Sequence, residues 1–204
     1  MKGKNDLVTE ADVASEKEII RVIKKEFPED DFLAEESNTK IKLPNGRVWI
    51  IDPIDGTTNF AHGFPIYCIS IALWVDGVSK VGLVKEVAKG ELFWAIEGEG
   101  AFLDGKKLKI SDQTDPSRSL IGTGFPYTAV EHVDDYLNLL KSLMQNTHGL
   151  RRPGAASYDL CCVAAGRFDG FFEYGLSPWD VAAGALIIQE AGGLVTDWNS
   201  GEDW

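Results

Sequence analysis

The stretch WIIDPIDGTTNF, Trp49 to Phe60, decides how the rest of this 204-residue chain is read. It opens on apolar, strand-compatible residues and stops at Asp52. Pro53 fixes the backbone at the first bend, Asp55 follows three residues after Asp52, and Gly56 permits a close backbone approach. Two carboxylates held this rigidly at a strand end can share hard cations, which take oxygen ligands. The same residues also suit an acidic turn that leads into a helix capped at Thr57 or Thr58. The segment alone leaves both readings open.

Working outward, Thr9 and Asp12 stand at capping-box spacing. Ile19, Ile20, Val22, Ile23 and Phe27 then recur at helical spacing until Pro28. Phe32-Leu33 reads as a brief strand running into Glu35-Glu36. Pro44-Asn45-Gly46 reads as a turn, and Val48 to Ile51 as a short strand. Downstream, Ile66–Val75, Val81–Glu86 and Glu91–Ile96 are separated by Asp76-Gly77 and Lys89-Gly90, the pattern of an antiparallel meander. Two short strands are expected at Ala101–Leu103 and Lys107–Ile110. The polar run Asp112 to Ser117 is the best internal boundary. Beyond it the expected order is strand Leu120–Thr123, helix Val133–Met144, helix Ser157–Ala165, strand Gly170–Glu173, helix Trp179–Ala191 and strand Leu194–Trp198. On the Val133–Met144 helix, Val133, Tyr136, Leu137, Leu140 and Met144 share a face. The alternation predicts a layered α+β fold in one compact unit. Residues 1–117 form an N-terminal α+β part and residues 118–204 a C-terminal α/β part.

Composition narrows the function. Twenty basic and 32 acidic residues give a net charge of −12, which argues against a nucleic-acid binder that neutralises phosphates with lysine and arginine. No apolar run reaches the roughly 20 residues of a membrane span, and the first twelve residues lack the apolar stretch of a secretory signal. Three cysteines, two of them adjacent, make no disulfide framework, so a reducing cytoplasm is expected. Cys161 and Cys162 read as core thiols. His62, His132 and His148 do not cluster at zinc-ligand spacing. The remaining question is whether some of the acids converge on a cation.

Two further acidic features answer it. Glu35-Glu36 follows an apolar stretch, and Trp179-Asp180 opens a helix. Together AEES at 34–37, WIIDPIDGTTNF at 49–60 and WDVAAGALIIQEAGG at 179–193 resemble the three signatures of the inositol monophosphatase family, Mg²⁺-dependent, lithium-sensitive sugar-phosphate phosphatases. GTGFPY at 122–127 and VAAGRFDGFFEYGLSPWD at 163–180 resemble most closely its bacterial, extragenic-suppressor branch. The resemblance covers essentially the whole chain.

The resemblance implies a layered αβαβα sugar-phosphatase fold and a homodimer in the cytoplasm. It implies two or three Mg²⁺ ions that activate a water against the phosphate of myo-inositol 1-phosphate. Glu35, Asp52, the Ile54 carbonyl, Asp55 and Asp180 match metal ligands, with Glu36 a less clear neighbour. Thr57 matches the residue that positions the attacking water, and Asp12 matches its acidic partner, although capping explains Asp12 equally well. Gly56, Thr57 and Thr58 fall where the phosphate is gripped. Gly154, Ala155, Ala156 and Glu173, together with Asp55 and Asp180, fall where substrate is bound. The pair Arg151-Arg152 suits either the pocket rim or surface ion pairs. The physics agrees, because a carboxylate pocket repels a phosphate dianion until bound cations invert the local charge.

Measured against the family, the chain is short at both ends, which implies exposed apolar surface on the helix at 13–27 and on the last strand. Fructose-1,6-bisphosphatase or broader sugar-phosphatase activity is the alternative within the class. A regulatory protein that binds transcription machinery, or an inactive truncated relative, is the alternative outside it.

Overall fold

The computed structural model describes residues 9–37, 45–127 and 132–201. Pro44, the first eight residues and the last three lie outside that set, and with them parts of the turn at 44–46 and of both chain ends. Among the described residues two sheets carry the fold. The larger has seven strands in chain order: β1 (Asp31–Ala34), β2 (Arg47–Asp55), β3 (Cys68–Val75), β4 (Val78–Glu86), β5 (Leu92–Ile96), β6 (Gly100–Leu103) and β7 (Lys106–Lys107). β1 pairs parallel with β2, and every later pair is antiparallel. The meander follows from its turns. Asp76 and Gly77 both have positive φ, as do Asp104 and Gly105, the twist that two-residue hairpins need.

The smaller sheet is parallel, in the order β10 (Gly170–Phe172), β8 (Leu120–Thr123), β9 (Gly149–Arg151). Among the described residues five α-helices complete the layers: α1 (Glu10–Glu26), α2 (Thr57–Ala61), α3 (Val133–Asn146), α4 (Ala156–Ala164) and α5 (Pro178–Glu190). One apolar core joins sheet and helices, with Leu33, Val48, Ile50, Val84 and Phe93 on the strands and Cys161, Ala183 and Ile187 on α4 and α5. No described helix is long and apolar enough to cross a membrane.

α5 sits hard against the large sheet because small residues let it. A Cβ on Gly82 would lie 2.6 Å from the Ala183 carbonyl oxygen, and one on Gly184 would lie 2.7 Å from the Leu160 Cβ. The first glycine presses α5 onto β4 and the second presses α5 onto α4.

Several expectations need correction. Leu194–Trp198 forms no strand. No described strand lies beside it to complete a hydrogen-bond ladder, and Leu194 is 85% exposed. The strand expected at Lys107–Ile110 shrinks to Lys106–Lys107, because the chain leaves the sheet and the Ile110 N–H donates to the Ala191 carbonyl at the end of α5. The strand expected at Val48–Ile51 continues through Pro53 to Asp55. On α3 the shared apolar face is only partly covered, since Tyr136 is buried but Leu137 and Met144 face solvent. α1 instead agrees with the exposed apolar surface expected on the helix at 13–27. Its buried residues are Asp12 and Glu16, whereas Val22 and Phe27 are exposed.

Gly82→Ala is expected to destabilise the fold by about 1–3 kcal/mol, because the Ala183 backbone cannot yield as a side chain would. A urea unfolding curve should show a lower midpoint at unchanged slope. An unchanged midpoint would mean that α5 does not depend on this contact.

Candidate metal centre

Alternation along a strand puts residues three apart on opposite faces. Asp52 and Asp55 escape that rule through a bulge. Asp52 pairs with Ser70 and Asp55 with Cys68, so β2 advances three residues while β3 advances two. Pro53 lies inside the bulge, where its missing N–H leaves no ladder bond unmade. The extra residue resets the alternation, and both carboxylates turn the same way. α5 adds Asp180 from its first turn, fixed by the Ser177 N–H donating at 2.6 Å and by Ser70 Oγ donating to the Trp179 carbonyl at 3.2 Å. Oxygens of Asp52, Asp55 and Asp180 then lie within 4.8 Å of one another.

Each carboxylate is anchored by donors that leave lone pairs free. Asp52 accepts the Ile54 N–H at 3.0 Å. Asp55 accepts three bonds from the start of α4: the Ala156 N–H at 3.2 Å on Oδ1, and the Ser157 N–H at 2.7 Å and hydroxyl at 2.5 Å on Oδ2. Oδ1 therefore carries the freer lone pair. Glu35 directly follows β1, half-buried, with its N–H donated to the Ile51 carbonyl next to Asp52.

Thr57 opens α2 just after this cluster. Its hydroxyl lies 3.0 Å from Asp12 Oδ1 and 2.9 Å from the Ile54 carbonyl oxygen. Asp12 also closes the capping box of α1, accepting the Thr9 N–H at 2.9 Å on Oδ2 and the Thr9 hydroxyl. Asp12 thus meets both the helix cap and Thr57, one carboxylate oxygen for each. Gly56 has a φ of +88°, and a Cβ there would lie 3.1 Å from the Gly154 and Ile66 carbonyl oxygens, so the turn admits no side chain without strain. Thr58 is exposed beside it.

The expected substrate loop packs on the other side. Ala155 and Ala156 are buried, and the Ala156 N–H is directed to Asp55. The Glu173 carboxylate lies over Gly124, where a Cβ would come within 1.8 Å of Glu173 Oε1. Arg152 is exposed and faces the Phe125 and Tyr127 rings at 5.5 and 5.7 Å.

Electrostatics follow from the crowding. Burial first, then repulsion from Asp55, Glu35 and Asp180, pushes the Asp52 carboxyl well above the ordinary range. Burial also raises Asp55, against the opposing Ser157 and Ala156 bonds. Burial, then Asp55, pushes Asp180 to about 7, and the same two causes push Glu173 to about 7 while Arg152 pulls it back. Asp159 on α4 goes to about 9 through burial and then Asp55, and its Oδ1 has no hydrogen-bond partner among the described residues.

Sequence reasoning missed Ser157, which locks Asp55 from 102 residues away. It missed Asn59, whose side-chain amide reaches the Ile66, Pro153 and Gly154 carbonyls at 2.8, 3.0 and 3.3 Å. It missed Glu16, whose carboxylate accepts the Glu36 N–H at 2.7 Å. Only Asn59 carried any signal, as a member of the quoted motif.

A layered α/β fold that gathers carboxylates beside a hydroxyl and a glycine turn offers an all-oxygen donor set suited to a hard divalent cation. The profile of the inositol monophosphatase family matches residues 1–204, and the chain belongs to that family. A putative Nus factor SuhB of Neisseria meningitidis serogroup B is 47% identical over 203 residues, covering 100% of this chain and 78% of the relative. The solved inositol monophosphatase of Anabaena (Nostoc) sp. PCC 7120 superposes with a TM-score of 0.90 at 44% identity, over 95% of this chain and 77% of that one. A solved IMPase/NADP phosphatase complexed with Mg²⁺ and phosphate superposes with a TM-score of 0.86 at 28% identity, over 98% of this chain and 74% of that one.

A carboxyl whose folded pKa is raised binds its proton more tightly when folded. It stabilises the metal-free fold below its unfolded pKa, and that contribution disappears as pH rises through the folded value. For Asp180 and Glu173 the window runs from about 4 to about 7. Glu91, held low by its bond to Arg167, acts in the opposite sense but below that window. The melting temperature of EDTA-treated protein should therefore fall between pH 5 and pH 7.5, and Mg²⁺ should raise it most at pH 7.5. A melting temperature flat across this range, with or without Mg²⁺, would contradict the electrostatic account.

Proposed function

We propose that this chain is an Mg²⁺-dependent phosphomonoesterase that hydrolyses myo-inositol 1-phosphate to inositol and phosphate. The observation that carries the reading is the convergence of the Asp52, Asp55 and Asp180 oxygens beside a threonine hydroxyl held by Asp12. An all-oxygen, strongly anionic donor set fits a hard divalent cation and suits thiolate-seeking metals poorly. Glu35, Asp52, Asp55, Asp180 and the Ile54 carbonyl would hold the ions. When bound, Mg²⁺ supplies the positive charge that offsets both the carboxylates and the phosphate dianion.

The chain's own groups do the rest. The Thr57 hydroxyl has one hydrogen and two lone pairs. Donating the hydrogen to Asp12 leaves Thr57 Oγ1 as an acceptor that orients the attacking water. Backbone N–H groups at Gly56, Thr57 and Thr58 face the phosphate. The Glu173 carboxylate is placed to accept from sugar hydroxyls, and Arg152 limits the local negative charge. The Gly154–Ala156 loop borders the same space, held by Asn59 and Asp55.

The name of the Neisseria relative, a putative Nus factor, supports a second reading in which the protein also makes regulatory protein contacts. The exposed apolar side chains of Phe125, Tyr127, Leu137 and Met144 give such contacts a surface.

Phosphate release from myo-inositol 1-phosphate should require Mg²⁺, stop with EDTA and fall with Li⁺. Asp55→Asn should lower it by about 100-fold or more, above the roughly 10–100-fold that outer-shell changes cost. Turnover indifferent to EDTA or to Asp55→Asn would refute the metal reading. A higher kcat/KM on fructose 1,6-bisphosphate would move the substrate assignment within the class.

A further inference from the structure

α1 reaches the site at more than one level. Asp12 on its first turn holds Thr57, Ser15 Oγ donates to the Pro53 carbonyl at 3.2 Å, and Glu16, one turn beyond Asp12, accepts the Glu36 N–H at 2.7 Å. Asp12 is 0% and Glu16 2% exposed, and they are the buried residues of the helix. A buried carboxylate is costly unless it is paired or hydrogen-bonded. The Glu35-Glu36 turn is what Glu16 holds. On one side the Glu35 N–H is fixed to Ile51 of β2, and on the other the Glu36 N–H is fixed to Glu16.

We propose that Glu16 is a positioning residue for the metal site: it clamps the Glu36 backbone and so sets the direction of the Glu35 carboxylate, as Asp12 sets that of the Thr57 hydroxyl. The proposal rests on the reading of Glu35 as a ligand. Residues that orient ligands from outside typically change metal affinity by about 10–100-fold when lost. Glu16→Gln keeps an acceptor oxygen at the same reach. Glu16→Met keeps the volume, suits a buried position and removes the acceptor.

The test is Mn²⁺ binding to metal-free full-length protein, followed by electron paramagnetic resonance, together with hydrogen exchange at the Glu36 amide. Glu16→Met is expected to weaken Mn²⁺ binding roughly 10–100-fold and to speed Glu36 exchange, with the metal-free melting temperature kept. Glu16→Gln is expected to stay within about threefold of wild type in both. Unchanged Mn²⁺ affinity in Glu16→Met, while Glu35→Gln weakens binding, overturns the proposal and leaves the ligand reading standing. Unchanged affinity in Glu35→Gln overturns the ligand reading itself, and the proposal with it. Equal losses in Glu16→Gln and Glu16→Met overturn the clamp, because only the acceptor oxygen distinguishes them.

Discussion

Repulsion among carboxylates is the constraint around which this fold is organised. Two unit charges about 4 Å apart repel by about 4 kcal/mol at an effective dielectric near 20. Asp52, Asp55 and Asp180 place oxygens within 4.8 Å of each other. Full ionisation of the three without a cation would thus approach the roughly 5–15 kcal/mol that stabilises a whole domain. The folded chain responds in two ways. It shifts protons onto the cluster, as the raised Asp52 and Asp180 show. It also pins each carboxylate with donors from a different element: Ile54 in the β2 bulge, Ala156 and Ser157 on α4, and Ser177 before α5.

That constraint explains an oddity of α1. Its sequence pattern points to an apolar face of Ile19, Ile20, Val22, Ile23 and Phe27. The side it buries carries Asp12 and Glu16, while Val22 and Phe27 reach solvent. The helix packs on β2 where that strand turns toward the site, so the side it presents there is chosen for hydrogen bonding. Apolar periodicity finds helices in sequence, but it does not tell which side faces the chemistry.

Much of the rest was legible. The Asp76-Gly77 and Asp104-Gly105 turns specify their hairpins through positive φ, a local property that sequence reports well. Asp55 and Thr57 stood out because one ends β2 and the other opens α2, Asp180 because it lies in the first turn of α5, and Asp52 because Pro53 follows it. Ser157 and Glu16 did not, since each acts through a contact with a distant segment, 102 and 20 residues away. The three-residue β9 was missed for a related reason. A short strand with one strong apolar residue, Leu150, is defined by its partner β8 and hardly by its own composition. Leu194–Trp198 failed in the opposite direction, with strand-like residues but no ladder to join.

The long reach from Asp55 to Ser157 has a consequence for biosynthesis. Chains are made from the N-terminus at roughly 5–20 residues per second, and domains generally fold as units. β2 and β3 leave the ribosome well before α4, so Asp55 still keeps its water when the meander's residues have been made. Its protein donors arrive only when residue 157 does, and Asp180 follows later still. The cluster therefore closes only after the start of α5 has been made, and a nascent chain interrupted before residue 157 carries the signature motif without its site.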